Sequence, residues 1–512
     1  ALAVISVVAP GHAATAIAGE REGKTYESLL LTGMDPRRIV WGKFLGSYAS
    51  IALVLVAFSP IVGIAFLFGG VSPSYVLWGF YALLLVLAPA VALGIAISAR
   101  VASVRIAILI STSIYPPAAF FGTILIAGLG ELADSAWDVQ LDGPFWFTEA
   151  LSERFFEPDT FALLGLLPLL SLGMATWFLL ASAVAGIRPA AEDRSTPFKI
   201  WALVATLVVA PFVAIFAALD PSDSEEIGLA FTLGGAPLLL HYALLFINEP
   251  PLPPRRKDLE PRFPLLFKLL GAGAAPTTRF GLLLIALTSI LLAISAAAGR
   301  YLSNPGFLDH AKWDAALLIA ALGQACVGMF LLSLGALLRT LLRNGAATRA
   351  LVLAFALASI VLPFVLAAIL EPRGLFDWGQ EIPAPMLLSP ILPGIVAVMV
   401  ADHGISRAAP IVSTFVIYGL GSLALWALVE VRVREIRRSF EAARAAHDAS
   451  MAASAPAPSE APSPAPSEAP SPLDPPLDSP PAPPLDPRAE APAEAPPPAP
   501  GEPSEAPERG GA

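Results

Sequence analysis

Few residues in this sequence have the types and spacing that catalysis requires. ATP hydrolysis needs a Gly-rich loop followed by Lys and Ser or Thr, which together hold the phosphates. The nearest match, Gly42-Lys43, is followed by Phe44 and lacks a glycine at the right distance before it. No His-Glu-x-x-His pair of a zinc protease occurs among the five histidines, which are His12, His241, His310, His403 and His447. We therefore expect this chain to have no catalytic, cofactor-binding or metal site of its own.

Two polar side chains and one thiol lie alone within apolar stretches. Cys326 is the single cysteine of the chain, which excludes an intrachain disulfide framework and a cysteine-cluster metal site. Polar groups inside a membrane span are costly and often functional, although a single one commonly bonds to a neighbouring helix. His241 and Gln324 are therefore candidate intramembrane contacts for a substrate, with helix packing as the alternative.

The composition around these residues is that of an integral membrane protein. Of 512 residues, 56% are hydrophobic and 14% are charged, against roughly 25% charged in soluble domains. The mean hydropathy is +0.71. Nothing in the sequence is both basic and aromatic in the manner of a nucleic-acid binder, so membrane lipid is the expected surrounding and nucleic acid is not an expected partner.

Apolar stretches of about 20 residues, the length that crosses a bilayer, predict about 11 spans. They cover 1–18, 44–69, 75–99, 105–129, 161–187, 200–219, 227–247, 280–298, 314–338, 350–370 and 408–430. A further stretch, 387–401, is short enough to be re-entrant or interfacial. The fold class is thus an all-α polytopic membrane protein, and its first residues lie inside a helix already.

The basic residues predict which connections face the cytoplasm. Lys and Arg are retained on the cytoplasmic side, and 24 of the 29 before residue 451 fall in alternate connections when 387–401 does not cross. The opposite connections carry the acid-rich stretches 130–160 and 220–226. This distribution predicts a multi-pass protein of the cytoplasmic membrane with a cytoplasmic C-terminal tail.

The order of spans and connections predicts two tandem six-span halves, the first lacking its first helix. The expected divisions are a first half at 1–187, a linker at 188–199, a second half at 200–430, a basic cytoplasmic helix at 431–450 and a tail at 451–512. The tail holds 21 of the 51 prolines and a net charge of −8. We expect it to be disordered, because it has too few apolar groups to bury.

The connection 19–43 predicts a short helix between two membrane helices. Gly23 is expected to end the first helix in the left-handed conformation, and Thr25 to cap a short helix that Gly33 ends. Asp35-Pro36 is the N-cap and first position of the next helix.

This short helix carries Leu29, Leu30 and Leu31 as an apolar patch. A small amphipathic helix on the cytoplasmic side suits docking into a groove of a soluble partner. The alternative is a helix that lies on the lipid headgroups.

The pattern of this connection resembles the signature of ABC-2 type transporter permeases. The matching residues are Glu20, Arg21, Glu22, Thr25, Glu27, Leu29, Leu30, Thr32, Pro36, Ile39, Gly42 and Lys43. The resemblance implies the transmembrane subunit of an ABC exporter, in which this loop couples to a separate ATP-binding subunit that carries ATP and Mg. The corresponding connection of the second half, 248–279, departs from the pattern.

Three functional hypotheses follow. The first is an ABC permease that exports a lipophilic substrate, since the spans carry few polar residues. The second is a membrane component with a mechanical or regulatory output through the same loop. The third, an ion-coupled transporter, is disfavoured because such proteins use intramembrane carboxylates, which the predicted spans lack away from their ends. The sequence is compatible with a pseudo-dimer of two halves within one chain and with a homodimer of two chains.

Overall fold

The fold is taken from a computed structural model of the chain. It describes residues 2–68, 72–137, 146–189, 192–219, 224–247, 249–251, 271–303, 310–342, 344–370, 384–403 and 409–454. Every regular element in these ranges is helical. The predicted all-α class is therefore confirmed for this part of the chain.

The helices are numbered in chain order. They are α1 (Leu2–Glu22), α2 (Tyr26–Leu31), α3 (Pro36–Ala57), α4 (Ser59–Leu67), α5 (Pro73–Ser98), α6 (Val104–Trp137), α7 (Trp146–Glu153), α8 (Pro158–Thr160), α9 (Leu167–Ile187), α10 (Thr196–Leu219), α11 (Ser224–Leu233), α12 (Ala236–Phe246), α13 (Ala274–Ser303), α14 (His310–Leu341), α15 (Gly345–Leu370), α16 (Leu392–His403), α17 (Ala409–Thr414) and α18 (Gly421–Ser454). A 3₁₀ turn covers Ala384–Leu388.

Eleven helical stretches of the described residues are long and apolar enough to span a membrane. Each overlaps one of the predicted spans over most of its length, which confirms the number and approximate positions of the sequence-based set. The apolar stretch predicted to be too short forms the helix Leu392–Ala401, which is below spanning length. Most of these spans begin or end several residues beyond the apolar stretch that predicted them, because the helices continue into polar turns.

The predicted first half packs around a close crossing of α1 and α5. The backbone amides of Ile17 and Ala18 donate to Ser98 Oγ at 2.9 and 2.7 Å, and Ser98 is buried. One turn earlier in α5, a Cβ on Gly94 would meet the Pro10 carbonyl and would lie 2.8 Å from Ala13 Cβ. Small residues at such crossings let membrane helices approach closely, so α1 and α5 form one packed unit.

The final span of each predicted half begins with a π-helical turn. Phe161–Leu166 precedes α9, and Phe415–Leu420 precedes α18. The hydroxyl of Tyr81 in α5 donates to Gly165 O at 2.8 Å, within the first of these turns. Single π turns inside helices are rare, so their occurrence at the same place in both halves is a shared feature of the two.

One span of the predicted second half is broken near its middle. Helices α11 and α12 together make the span Ser224–Phe246, and Gly234 and Gly235 form a turn between them. Around the break, α10, α13 and α14 supply the remaining packing. Tyr242, Ile285 and Leu332 are among the largest fully buried side chains and belong to the core cluster beside α12.

The last helix runs without interruption from the membrane span into the basic segment 431–450. It ends at Ser454, so the first four residues of the segment predicted to be disordered are helical, because Met451, Ala452 and Ala453 favour a helix. Glu430 of α18 accepts two hydrogen bonds of 2.7 Å from Arg279 of α13, which anchors the end of the span. The rest of the predicted disordered tail lies outside the described residues.

Candidate functional site

The connection between α1 and α3, which we name the elbow (residues 20–43), makes two sharp turns around α2. Lys24 has a φ of +57°, and Gly33 has a φ of +71°. The prediction for Gly33 is confirmed. The prediction that Gly23 adopts the left-handed conformation is wrong, because α1 continues to Glu22 and the reversal falls one residue later, at Lys24.

Thr25 stands before α2 but does not cap it through its side chain. Its hydroxyl and its backbone N–H both donate to Glu20 O, at 3.3 and 2.9 Å. The predicted N-cap is therefore corrected: the hydroxyl satisfies a carbonyl at the end of α1, where helix carbonyls lack partners. The residue thus joins α2 to the preceding helix.

The start of α3 follows the prediction. Asp35 is the N-cap, with a carboxylate oxygen that accepts from Arg37 N at 3.0 Å, and Pro36 occupies the first helical position. Proline is preorganised for this position because its fixed φ is helical. Farther along α3, Ile39 is buried in the core, while Gly42 faces open space.

The charged residues of the elbow tie three helices together at their ends. Lys43 of α3 forms an ion pair with Glu20 of α1. Glu22 accepts a hydrogen bond of 3.2 Å from Val104 N, the first residue of α6. The Arg21 guanidinium lies 4.7 Å from the Tyr26 ring centroid, a cation–π distance. Most of the charged signature residues thus join the ends of α1, α3 and α6, and Arg21 contacts α2.

The two faces of α2 differ from the predicted apolar patch. Tyr26 and Leu29 are half-buried against the core of α1, α3, α5 and α9, whereas Leu31 is 87% exposed. The side chain of Leu30 lies outside the described set. The expectation of one continuous outward patch at Leu29, Leu30 and Leu31 is therefore corrected, because the core covers one side of a helix only six residues long.

The outward surface of the elbow combines apolar and acidic groups. Glu27 and Thr32 are exposed beside Leu31, and Met34 is 45% exposed in the following turn. Thr32 is held by its own hydroxyl, which donates to Leu29 O at 2.6 Å. Sequence reasoning missed Met34, since no spacing rule gives the direction of a side chain in a turn.

The part of the chain that contains the elbow matches a known protein family. Residues 1–231 match the family model described as ABC-2 family transporter protein. Residues 1–231 belong to the ABC-2 transporter family. Comparisons with curated proteins and with solved structures found no match.

The match supports an ABC-2 type permease region with multiple membrane spans in residues 1–231. The ABC-2 region contains the elbow and the spans of α1, α3–α4, α5, α6, α9 and α10. It continues past the predicted first half, through the linker 188–199, and ends inside α11. Family membership thus accounts for the elbow and not for the spans after α11.

The linker and the connection that follows α12 meet around a buried lysine. Lys199 is fully buried and donates to Gly271 O at 2.8 Å, and Glu249 accepts from Gly273 N at 3.4 Å. Burial raises the pKa of Glu249, against the opposing effect of Lys199. These contacts join the two ends of 252–270, a segment that lies outside the described residues together with most of the connection predicted to correspond to the elbow.

The linker also caps α10. Asp193 accepts hydrogen bonds from the backbone N–H groups of Ser195 at 2.9 Å and Thr196 at 3.3 Å. Burial acts to raise the pKa of this carboxyl, but the hydrogen bonds from Thr196 and Ser195 outweigh it and lower the pKa. A charged carboxylate at a helix start is also favoured by the helix dipole.

The two intramembrane candidates occupy different surroundings. His241 packs edge-on against Phe178 and Trp201, with ring centroids 5.1 and 5.8 Å away. Gln324 of α14 lies beside the break between α11 and α12, with its Oε1 3.9 Å from the place of a Cβ on Gly235. The structure does not bring the two together, and His241 sits in an aromatic packing site.

Proposed function

We propose that this ABC-2 permease is the transmembrane subunit of an exporter and moves a lipophilic substrate with energy from a separate ATP-binding subunit. The observation that carries the proposal is the elbow: an exposed Leu31 stands on a base fixed by the Glu20–Lys43 ion pair and the Glu22–Val104 hydrogen bond. An exposed apolar side chain on a rigid base is suited to transmit force from a docked partner.

The contacts of the elbow suggest how motion would reach the spans. A displacement of α2 would reach α1 through the contact of Tyr26 with Arg21. From α1 it would pass to α3 through the Glu20–Lys43 ion pair and to α6 through the hydrogen bond from Val104 N to Glu22. Because α1 is packed tightly against α5, these helices would move as a group. We expect such rocking to open the substrate path when the ATP-binding subunit closes.

The partner would carry the nucleotide chemistry. In this proposal ATP and Mg bind to the separate subunit, and the permease itself is not an enzyme. Support comes from the family, whose members supply the membrane part of ABC systems, and from the absence of a phosphate-binding loop in the sequence.

The second half would complete the transport path. The π-helical turns before α9 and α18 support a tandem arrangement in which two halves form a pseudo-dimer within one chain. Pairing of two chains is the competing arrangement. The mass of the permease in lipid nanodiscs would separate them, since one copy per complex agrees with the pseudo-dimer and two copies contradict it.

The distribution of basic residues supports placement in the cytoplasmic membrane with the elbow and the tail in the cytoplasm. In a Cys326→Ala background, single cysteines at Asp142 and Glu225 are expected to react with an impermeant maleimide added outside. Cysteines at Lys24, Arg256 and Arg437 should react only after permeabilisation. Labelling of position 256 from outside would contradict the two-half topology.

The function is tested by reconstitution. The permease is co-expressed with ATP-binding cassette subunits of the same genome, starting with any encoded beside it, and the purified complex is placed in liposomes. The expected result is a stable complex whose ATP hydrolysis rises with lipophilic substrates and moves them across the bilayer. A complex that hydrolyses ATP without moving substrate would favour the mechanical or regulatory function, and failure to bind any such subunit would contradict both.

A further inference from the structure

We propose that the cavity beside the broken span of the second half binds a lipophilic molecule that carries a hydrogen-bond donor, such as a long-chain alcohol. This inference rests on the proposed function and names a subsite for its substrate. The cavity has a volume of about 490 Å³ and lies between α10, α11, α12 and α13. Pockets of roughly 300–1,000 Å³ accommodate small-molecule ligands.

The break leaves two backbone carbonyls without their ordinary helical donors. In a continuous helix the N–H of Gly235 would donate to Phe231 O, four residues back. Here it donates to Thr232 O instead, at 3.1 Å. Pro237 has no N–H, so Leu233 O also lacks the donor that lies four residues ahead of it in a helix. Phe231 and the glycines that follow it line the cavity. An unpaired backbone group at membrane depth costs several kcal/mol, so a ligand that donates a hydrogen bond to this end of α11 would relieve that cost.

The walls of the cavity are apolar. Its lining consists of Val209, Val213, Ala230, Phe231, Gly234, Gly235, Leu238 and Leu292. None of these side chains has a polar atom, so the backbone at the break supplies the polarity of the lining. A ligand therefore needs an apolar body with a donor at one point.

Packing closes the cavity on both sides along the membrane normal. Toward the predicted cytoplasmic side, one helical turn from the lining residues, Thr206 lies 2.9 Å from the Thr288 hydroxyl and 3.1 Å from the Tyr242 hydroxyl. All three side chains are buried, and these hydroxyls bond to one another.

Toward the opposite side, small residues bring the helices into contact. A Cβ on Gly228 of α11 would lie 3.3 Å from Ala296 Cβ, and one on Gly299 would lie 2.8 Å from Ala217 Cβ. The cavity is therefore a bounded site near the middle of the span rather than a groove that runs the length of the bundle.

The cavity opens sideways. Val209 of α10 is 37% exposed, and Ala230 and Gly234 are also exposed, so the opening lies on the outer surface of the bundle between α10 and α11. That surface faces hydrocarbon in a membrane. A molecule dissolved in the lipid can enter without crossing water, which favours a lipophilic ligand over a sugar or an ion.

The test uses the full chain in lipid nanodiscs without any ATP-binding subunit. The probe is a long-chain alcohol that carries a diazirine, and its methyl ether is the matched probe without a donor. After illumination, mass spectrometry locates the labelled residues. We expect saturable labelling of the lining residues, with about three- to tenfold preference for the alcohol, the size of one net hydrogen bond.

Two variants and one control separate the contribution of cavity shape from that of hydrogen bonding. Ala230→Trp fills the cavity and should remove the labelling, while Ala236→Trp, an exposed position of the same break that does not line the cavity, should keep it. Pro237→Ala restores an N–H opposite Leu233 O and should reduce the preference for the alcohol.

Equal labelling by alcohol and ether would show a groove filled by ordinary lipid chains and would overturn the proposal. Labelling that Ala230→Trp leaves unchanged, or that maps only to other helices, would overturn it as well. Because no ATPase is present, these failures leave the permease assignment intact. If no ATP-binding subunit binds the permease, the labelling of the cavity is unaffected, because that experiment contains no such subunit.

Discussion

The Leu31→Asp variant is expected to lose its ATP-binding subunit while it remains inserted and folded. Leu31 is 87% exposed, so its replacement leaves the packing of the permease unchanged. In the docked complex, the new carboxylate would be buried against an apolar surface without a partner. That burial costs several kcal/mol, which corresponds to a loss of affinity of roughly a hundredfold or more. Co-purification and ATP-driven transport, measured on the same preparation, should fall together.

The matched control is Leu29→Asp on the opposite face of α2. Leu29 packs against the core of the first half, so its replacement should lower the yield of folded permease rather than docking alone. Leu31→Ala should have a small effect, because it removes apolar area without burying a charge. If the Leu31→Asp permease still binds the ATPase and exports substrate, α2 lies on the headgroups and the coupling proposal must be dropped.

The Gly94→Ala variant should be strongly destabilised. A Cβ at this position would meet the Pro10 carbonyl and would lie 2.9 Å from Ala14 N. Both are backbone atoms, so rotation of a side chain cannot relieve the overlap, and α1 must move away from α5. Overpacking of this kind costs about 1–3 kcal/mol, occasionally more. The midpoint of heat-induced aggregation, measured by size-exclusion chromatography in detergent, should fall.

Gly79→Ala is the control within the same helix. A Cβ on Gly79 has no atom within 4 Å, and alanine favours a helix over glycine by about 1 kcal/mol. This variant should therefore be as stable as the original or slightly more so. Equal stability of the Gly94→Ala and Gly79→Ala proteins would contradict the close crossing of α1 and α5.

The sequence was sufficient for those features that a local rule determines. Span positions follow from apolar length, the start of α3 follows from Asp35-Pro36, and the end of α2 follows from Gly33. Each depends on residues adjacent in the chain. The structure bears out all three.

Features that depend on distant contacts could not be predicted. The direction of Leu29 is set by the core that covers it, and a six-residue helix is too short for periodicity to reveal that direction. The left-handed residue fell at Lys24, because the choice between two neighbouring positions depends on where α1 stops. The cavity beside Gly235 needs four helices to form, and no single stretch of sequence records it.

The crossing of α1 and α5 also sets an order of events during synthesis. Ser98 follows Glu22 by 76 residues. Ribosomes add about 5–20 residues per second, so roughly 4–15 s pass between the synthesis of the end of α1 and that of the end of α5. Lys43 is translated much earlier and can already reach Glu20. The hairpin of α1 and α3 therefore forms first, and the elbow is assembled before the bundle that it would move.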